Sequence, residues 1–157
     1  MEVRLATRLP APVSVVRQHL MMSRLLHHIA FPLIIFRTGR QTPLPTRWQP
    51  GHYRVFLWLF GILPMGRQWI RLELPPPDTE APDHVQVRDN GTGDLIQVWD
   101  HWITIRPDGD GTLYEDRVIV QAGLLTPAVW LFALGFYAWR QWRWRRLAHS
   151  SFAPLDL

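Results

Sequence analysis

Apolar and polar residues alternate from the start of the chain. In EVRLATRL (2–9), Val3, Leu5, Thr7 and Leu9 share one face, the period of a half-buried strand. Pro10 and Pro12 end it, and Pro12 suits a first helical turn, where its missing N–H would be unpaired anyway. Val13, Val16 and Leu20 follow at helical spacing and predict a short amphipathic helix over 12–22. SRLLHHIA (23–30) predicts a second one, ending before Phe31-Pro32. Residues 37–50, with three prolines and a glycine, read as loop.

Period two then returns. HYRVFLWLF (52–60) is a strand rich in β-branched and aromatic residues, and GILPMG (61–66) supplies a turn. RQWIRLEL (67–74) sets Gln68, Ile70, Leu72 and Leu74 against Arg67, Trp69, Arg71 and Glu73. PPPDTEAPD (75–83) predicts a mobile loop. HVQVRD (84–89), a turn NGTG, the strand DLIQVWDHWITIR (94–106), a turn PDGDG and TLYEDRVIVQAG (112–123) complete a meander. The pattern changes at LTPAVWLFALGFYAWRQWRWRRLAH (125–149), a long apolar helix with Thr126 as N-cap and Pro127 in its first turn. Short connections make neighbouring strands pair in sequence. One sheet followed by one apolar helix buries that helix best by curling around it. The prediction is a single α+β domain over 1–157, with two short helices after the first strand, the long helix at 126–149 and a tail at 150–157.

Composition narrows the chemistry. Apolar residues are 47% of the chain, and nine of the aromatics are Trp, as in a folded protein with a real core. There is no cysteine, so disulfides and thiolate metal sites are excluded. All 17 basic residues are Arg, which excludes a Schiff-base lysine and a phosphate-binding loop lysine. The first residues, MEVRLATRLPAP, carry charge and lack an apolar run, so a cytoplasmic protein is expected.

Three stretches carry a resemblance. RLPAPVSVVRQHL, QPGHYRVFLWLFGILPMGRQWI and TLYEDRVIVQAGLLTPAVWLFALGFYAWRQWRWRRL, in this order, resemble the START-like, helix-grip superfamily, which includes polyketide cyclase-like and plant allergen-like proteins. The last stretch holds that family's Tyr-x-Asp-x-Val pattern (Tyr114, Asp116, Val118) and an aromatic-x-x-Arg step from Tyr137 to Arg140. The resemblance implies a curved antiparallel sheet wrapped around the final helix. It also implies a deep cavity between them for an apolar or amphipathic small molecule. The family includes carriers, receptors and some enzymes but shares no catalytic set, so no catalytic residue is carried over.

The expected cavity wall comprises Phe56, Trp58, Ile70, Leu72, Asp100, Trp102, Tyr114, Asp116, Val118, Phe132, Phe136, Tyr137 and Arg140. With the 107–111 turn centred near Gly109, His101 lies opposite Arg117, and Asp116 shares a face with Asp100 and Trp102. A slip of one residue would reverse that facing. Two roles then compete for the carboxylates. They pair with Arg140, as buried acids usually require, or one is raised in pKa by desolvation and works as an acid or base. The histidines match no metal-ligand spacing, no nucleophile elbow is present, and no cofactor is expected. The leading expectation is a binding or carrier protein for a hydrophobic small molecule. The alternatives are a cyclase- or dehydratase-like enzyme, and an interaction module using the Trp/Arg segment near the C-terminus. That segment suggests weak contact with anionic membrane through Arg140, Trp142, Arg143 and Trp144; nucleic acid is not an expected partner.

Overall fold

Strand pairing begins with the two ends of the chain. In the structure, a computed structural model describing residues 1–39, 42–76, 79–81 and 83–155, β1 (Glu2–Leu9) pairs antiparallel with the last strand, β7 (Gly111–Gln121). Between them come α1 (Val13–Leu20), α2 (Ser23–Ala30), β2 (Ile34–Arg37), β3 (Gly51–Leu59), β4 (Leu63–Glu73), β5 (Val85–Gly93) and β6 (Val98–Asp108). The seven strands form one antiparallel sheet in the order β1-β7-β6-β5-β4-β3-β2. From β2 to β7 every neighbour in the sheet is a neighbour in sequence, as short connections require. The chain closes with α3 (Thr126–His149) and a short turn in which Phe152 and Leu155 are buried.

The expected element order holds, with three local differences. IIFR at 34–37 forms an edge strand on β3 that four residues are too few to signal by periodicity. NGTG is strand rather than turn: β5 runs through Gly93, and the connection to β6 lies at 94–97. Gly91 and Gly93 permit this, because a Cβ on either would lie 2.8 Å from a carbonyl oxygen of β4. Thr126 does not cap α3. Its hydroxyl accepts from Ala122 N–H and donates to the Gly123 carbonyl, tying the helix back to a preceding 3₁₀ turn. The mobile loop expected over 75–83 falls partly outside the described residues, at 77, 78 and 82.

The β6–β7 hairpin decides which side chains point inward. Asp108 pairs with Gly111 across a two-residue loop, and Gly109 takes the positive φ (61°) that its first position demands. The register is therefore one residue away from the expected one: His101 faces Val118, Trp102 faces Arg117, and Ile103 faces Asp116. Trp99, His101, Ile103 and Ile105 point inward with Tyr114, Asp116, Val118 and Val120. Asp100 and Trp102 point outward.

The face of α3 that meets the sheet carries Ala133, Phe136, Tyr137, Arg140, Gln141, Trp144, Leu147 and Ala148, related by the three- and four-residue steps of a helical stripe. The helix lies over β1, β7 and α2, leaving a gap between itself and the inner faces of β3 to β6. Trp144 is enclosed, 5.1 Å from the Tyr114 ring and 6.2 Å from the Phe152 ring, centroid to centroid. Phe152 in turn stacks on His19 of α1, so the turn after α3 seals this end of the core. Among the described residues, no helix is long and apolar enough to cross a membrane.

Trp144→Ala is expected to remove about 3–5 kcal/mol of stability, the range for deleting an enclosed aromatic side chain. Urea unfolding followed by circular dichroism measures it; a loss under ~1 kcal/mol would mean that Trp144 does not join helix to sheet.

Candidate functional site

The inner faces of β3 to β6, the buried side of α3 and the two short helices enclose a cavity of about 360 Å³. Each wall follows from period two or from the helical stripe. β3 contributes Leu57; β4 Gln68, Ile70 and Leu72; β5 Val87 and Asp89; and β6 Trp99, His101 and Ile103. From α3 come Phe132, Phe136, Tyr137 and Arg140, and α2 closes the far end with Leu25, Leu26 and Ile29. The mouth is marked by lining residues that are also exposed: Leu95 on the β5–β6 connection, Leu125 before α3, and Phe132.

Of the residues expected on this wall, Ile70, Leu72, Phe132, Phe136, Tyr137 and Arg140 line it. Tyr114, Asp116 and Val118 point inward but lie under α3, fully buried in the packed core rather than on the cavity surface. Phe56, Trp58, Asp100 and Trp102 are on the outer face of the sheet. Phe56 is exposed, and Arg37 lies over the Trp58 ring at 4.5 Å. Arg88 lies over the Trp102 ring at 4.9 Å and holds Asp100 through two hydrogen bonds of 2.8 and 3.1 Å. That guanidinium keeps the Asp100 carboxyl below the usual range. The expected Asp100–Asp116 pairing across one face is thereby corrected: the register sets them on opposite sides of the sheet.

The expected lipid-contacting set changes for the same kind of reason. Arg140 and Trp144 belong to the buried stripe of α3 and do not reach the surface. Of that set, Trp142 is exposed, with Arg146 over its ring at 4.9 Å, while Arg143 donates to the His28 carbonyl at 3.0 Å.

Asp116 has a different partner set from the one expected. Its Oδ1 accepts from His101 Nε2 at 2.8 Å and from the Tyr114 hydroxyl at 2.9 Å. Its Oδ2 accepts from Gln141 Nε2 at 3.1 Å, and the same amide also donates to the Leu5 carbonyl at 2.9 Å. Burial pushes the Asp116 carboxyl up, but the His101 bond, the Arg140 charge and the Gln141 amide together hold it below the ordinary value. Burial keeps His101 neutral against the pull of Asp116. Since a carboxylate only accepts, the proton of that neutral imidazole sits on Nε2.

Asp89 is the carboxyl that sequence reasoning missed. Alternation over Val85, Val87 and Asp89 gives it the inward face, a signal obscured by reading NGTG as a turn. Its Oδ1 accepts from the Arg71 backbone N–H at 2.9 Å, between the Trp69–Thr92 and Leu72–Asp89 pairs of the β4–β5 ladder. The surface it keeps faces the apolar cavity. Desolvation therefore dominates and pushes its pKa up to about 7, against the lowering effects of the Arg71 bond and the Arg140 charge. The site thus holds an ionised carboxylate with both oxygens hydrogen-bonded, a carboxyl poised near neutrality, and a buried guanidinium on the cavity wall. Among the described residues, no group of side chains could hold a metal ion.

Two stability measurements test this picture. Asp116→Asn sets an amide N–H against the Gln141 donor and removes the charge opposite Arg140; a loss of about 2–4 kcal/mol in urea unfolding is expected. Asp89 should act in the opposite sense. A carboxyl whose pKa is raised on folding binds more protons folded than unfolded, so its contribution falls as pH rises from about 4 to about 7 and stays low above that. Asp89→Asn keeps the acceptor for Arg71 and loses the charge. It is expected to stabilise the protein at pH 8 by about 1–3 kcal/mol and to change little at pH 4; equal effects at both pH values would contradict the raised pKa.

Solved structures share this fold. The chain superposes on a protein from Chromobacterium violaceum with a TM-score of 0.66 at 14% identity, covering 94% of this chain and 96% of that one. It matches a START superfamily protein from Mycobacterium smegmatis with a TM-score of 0.59 at 13% identity, covering 95% and 97%. It also matches DynU16, from the dynemicin biosynthetic locus, with a TM-score of 0.53 at 14% identity, covering 96% of this chain and 48% of that one. No family model and no curated protein matches the sequence. With a seven-stranded antiparallel sheet curved around a long C-terminal helix, and with these neighbours, the chain has the START-like, helix-grip fold.

Proposed function

We propose that the protein binds and carries a hydrophobic or amphipathic small molecule in the space between its sheet and α3. One observation carries the reading: the cavity is walled almost wholly by apolar side chains and opens between Leu95, Leu125 and Phe132. Its volume of about 360 Å³ falls at the small end of the range for ligand pockets, ~300–1,000 Å³. An apolar space of this size in a core of close-packed density forgoes dispersion contacts, which a guest would restore. The START-like fold supports the same reading, since a guest cavity is what the sequence resemblance implies.

A second reading has a residue to rest on. A carboxyl with a pKa of about 7, facing an apolar cavity, is suited to moving protons on a bound guest. It shifts the cyclase- or dehydratase-like alternative from Asp116, whose two oxygens are already hydrogen-bonded beneath α3, to Asp89. Mass spectrometry of a ligand recovered with the protein separates the two. A carrier returns it unchanged after long incubation, whereas an enzyme changes its mass and Asp89→Asn abolishes the change.

Carrier function is tested at the mouth. Ala128 lines the entrance and is exposed, so a larger side chain there narrows the way in without disturbing the core. N-phenylnaphthylamine, a neutral apolar fluorophore, is expected to bind the wild-type protein with a blue-shifted emission. Ala128→Trp should weaken that binding at least about tenfold, or about 1.4 kcal/mol, with an unchanged melting temperature. Equal binding by both proteins would place the fluorophore elsewhere.

A further inference from the structure

Arg140 lies on the cavity wall with little of its surface exposed (5%), and its Nε has no hydrogen-bond partner. Its guanidinium makes no ion pair or hydrogen bond with a described residue. What it touches are ring faces: Tyr137, with the ring centroid 4.9 Å from Cζ, and Phe136 at 5.7 Å. A guanidinium taken out of water and left with ring faces alone is costly, because desolvation is offset well only by an anion in hydrogen-bonding contact.

The protein's own carboxylates do not fill that place. Asp116 attracts Arg140 through space, but its oxygens already accept from His101, Tyr114 and Gln141. Asp89 also acts on Arg140 at a distance and bonds instead to the Arg71 backbone. Gln68 of β4, buried and uncharged, also lines the cavity. Arg140 is the buried cation of this wall, beside the neutral Gln68 amide, the neutral His101 ring and an Asp89 carboxyl poised near neutrality, a set that suits one negative charge, not two. The planar fork of a guanidinium matches the two oxygens of a carboxylate.

Geometry fixes the direction of such a guest. Phe132 at the mouth and Arg140 in the interior lie on the same side of α3, eight residues apart, about 12 Å along the axis at 1.5 Å per residue. On the mouth side of Asp89 and His101 the wall carries Trp99 of β6, with Phe136 on α3 between Phe132 and Arg140. We propose that Arg140 seats the carboxylate of a monocarboxylic amphipathic guest, whose apolar tail runs along α3 towards Leu95, Leu125 and Phe132. This assignment rests on the carrier reading and adds the chemical class of the guest.

Three probes test it at pH 7.5: decanoate, decanol and N-phenylnaphthylamine, with decanoate and decanol each displacing the fluorophore. The wild-type protein is expected to bind decanoate at least tenfold more tightly than decanol. Arg140→Met, which keeps the length and removes the charge, is expected to abolish that preference while retaining the fluorophore. Arg140→Lys, which keeps the charge and loses the fork, should retain part of it. A wild-type protein that binds fluorophore and decanol but shows no preference for decanoate overturns the head-group assignment and leaves the carrier reading standing. A preference that survives in Arg140→Met overturns it equally. Failure of all three probes to bind overturns the carrier reading and this assignment with it. Should Arg140→Met not fold, the wild-type ratio together with that of Arg140→Lys decides the matter, an unchanged ratio in Arg140→Lys counting against the paired geometry.

Discussion

The interior is organised by the Asp116 carboxylate. It draws donors from three elements: His101 of β6, Tyr114 of its own strand β7, and Gln141 of α3. Gln141 also reaches the Leu5 carbonyl, so β1, the neighbour of β7, joins the same cluster. An anion at this depth is tolerable because both oxygens are satisfied and a cation lies near. Helix and sheet are thus fixed in rotation and not merely packed. A slip of α3 by one residue would take the Gln141 amide out of its place between Asp116 and the Leu5 carbonyl.

That lock has a consequence for the space beside it. Once Gln141 points at Asp116, the helical geometry sends Arg140, one residue earlier, onto the cavity wall with Phe136 and Tyr137. The guanidinium is thereby held in an apolar setting by the packing of the helix and not by a partner of its own. Asp89 arises similarly: the Arg71 N–H turns to its side chain, and the carboxyl looks into the cavity where water is scarce. The polar groups of the cavity are by-products of the same constraints that build the wall, which gives them fixed positions at low cost in side-chain freedom.

The apolar character of the mouth fits this arrangement. Leu95, Leu125 and Phe132 are exposed at the opening, and Leu124 and Leu131 stand close by in sequence and are exposed as well. A guest with an apolar tail would meet like surface on entry. The other end of the domain is closed tightly by Trp144, Phe152 and His19.

The element order, the antiparallel pairing and the wrapping of a sheet around one long helix are written in the sequence, because period two, period 3.6 and the turn residues are local properties of the chain. Ile70, Leu72, Phe136 and Tyr137 are legible as inward for the same reason. The facing of Asp100 and Asp116 is not, because it depends on whether the hairpin after Asp108 centres on Gly109 or on the Gly109-Asp110 pair, and half a residue of difference turns a strand over. The Trp99, His101, Ile103, Ile105 alternation of β6 carried a hint of the right choice, being the more apolar parity. What no local pattern holds is which acid finds three donors, which arginine is left without a hydrogen-bonded anion, and whether apolar walls close up or stand apart. Those depend on where α3 comes to rest against strands remote in sequence, and only the tertiary structure decides them.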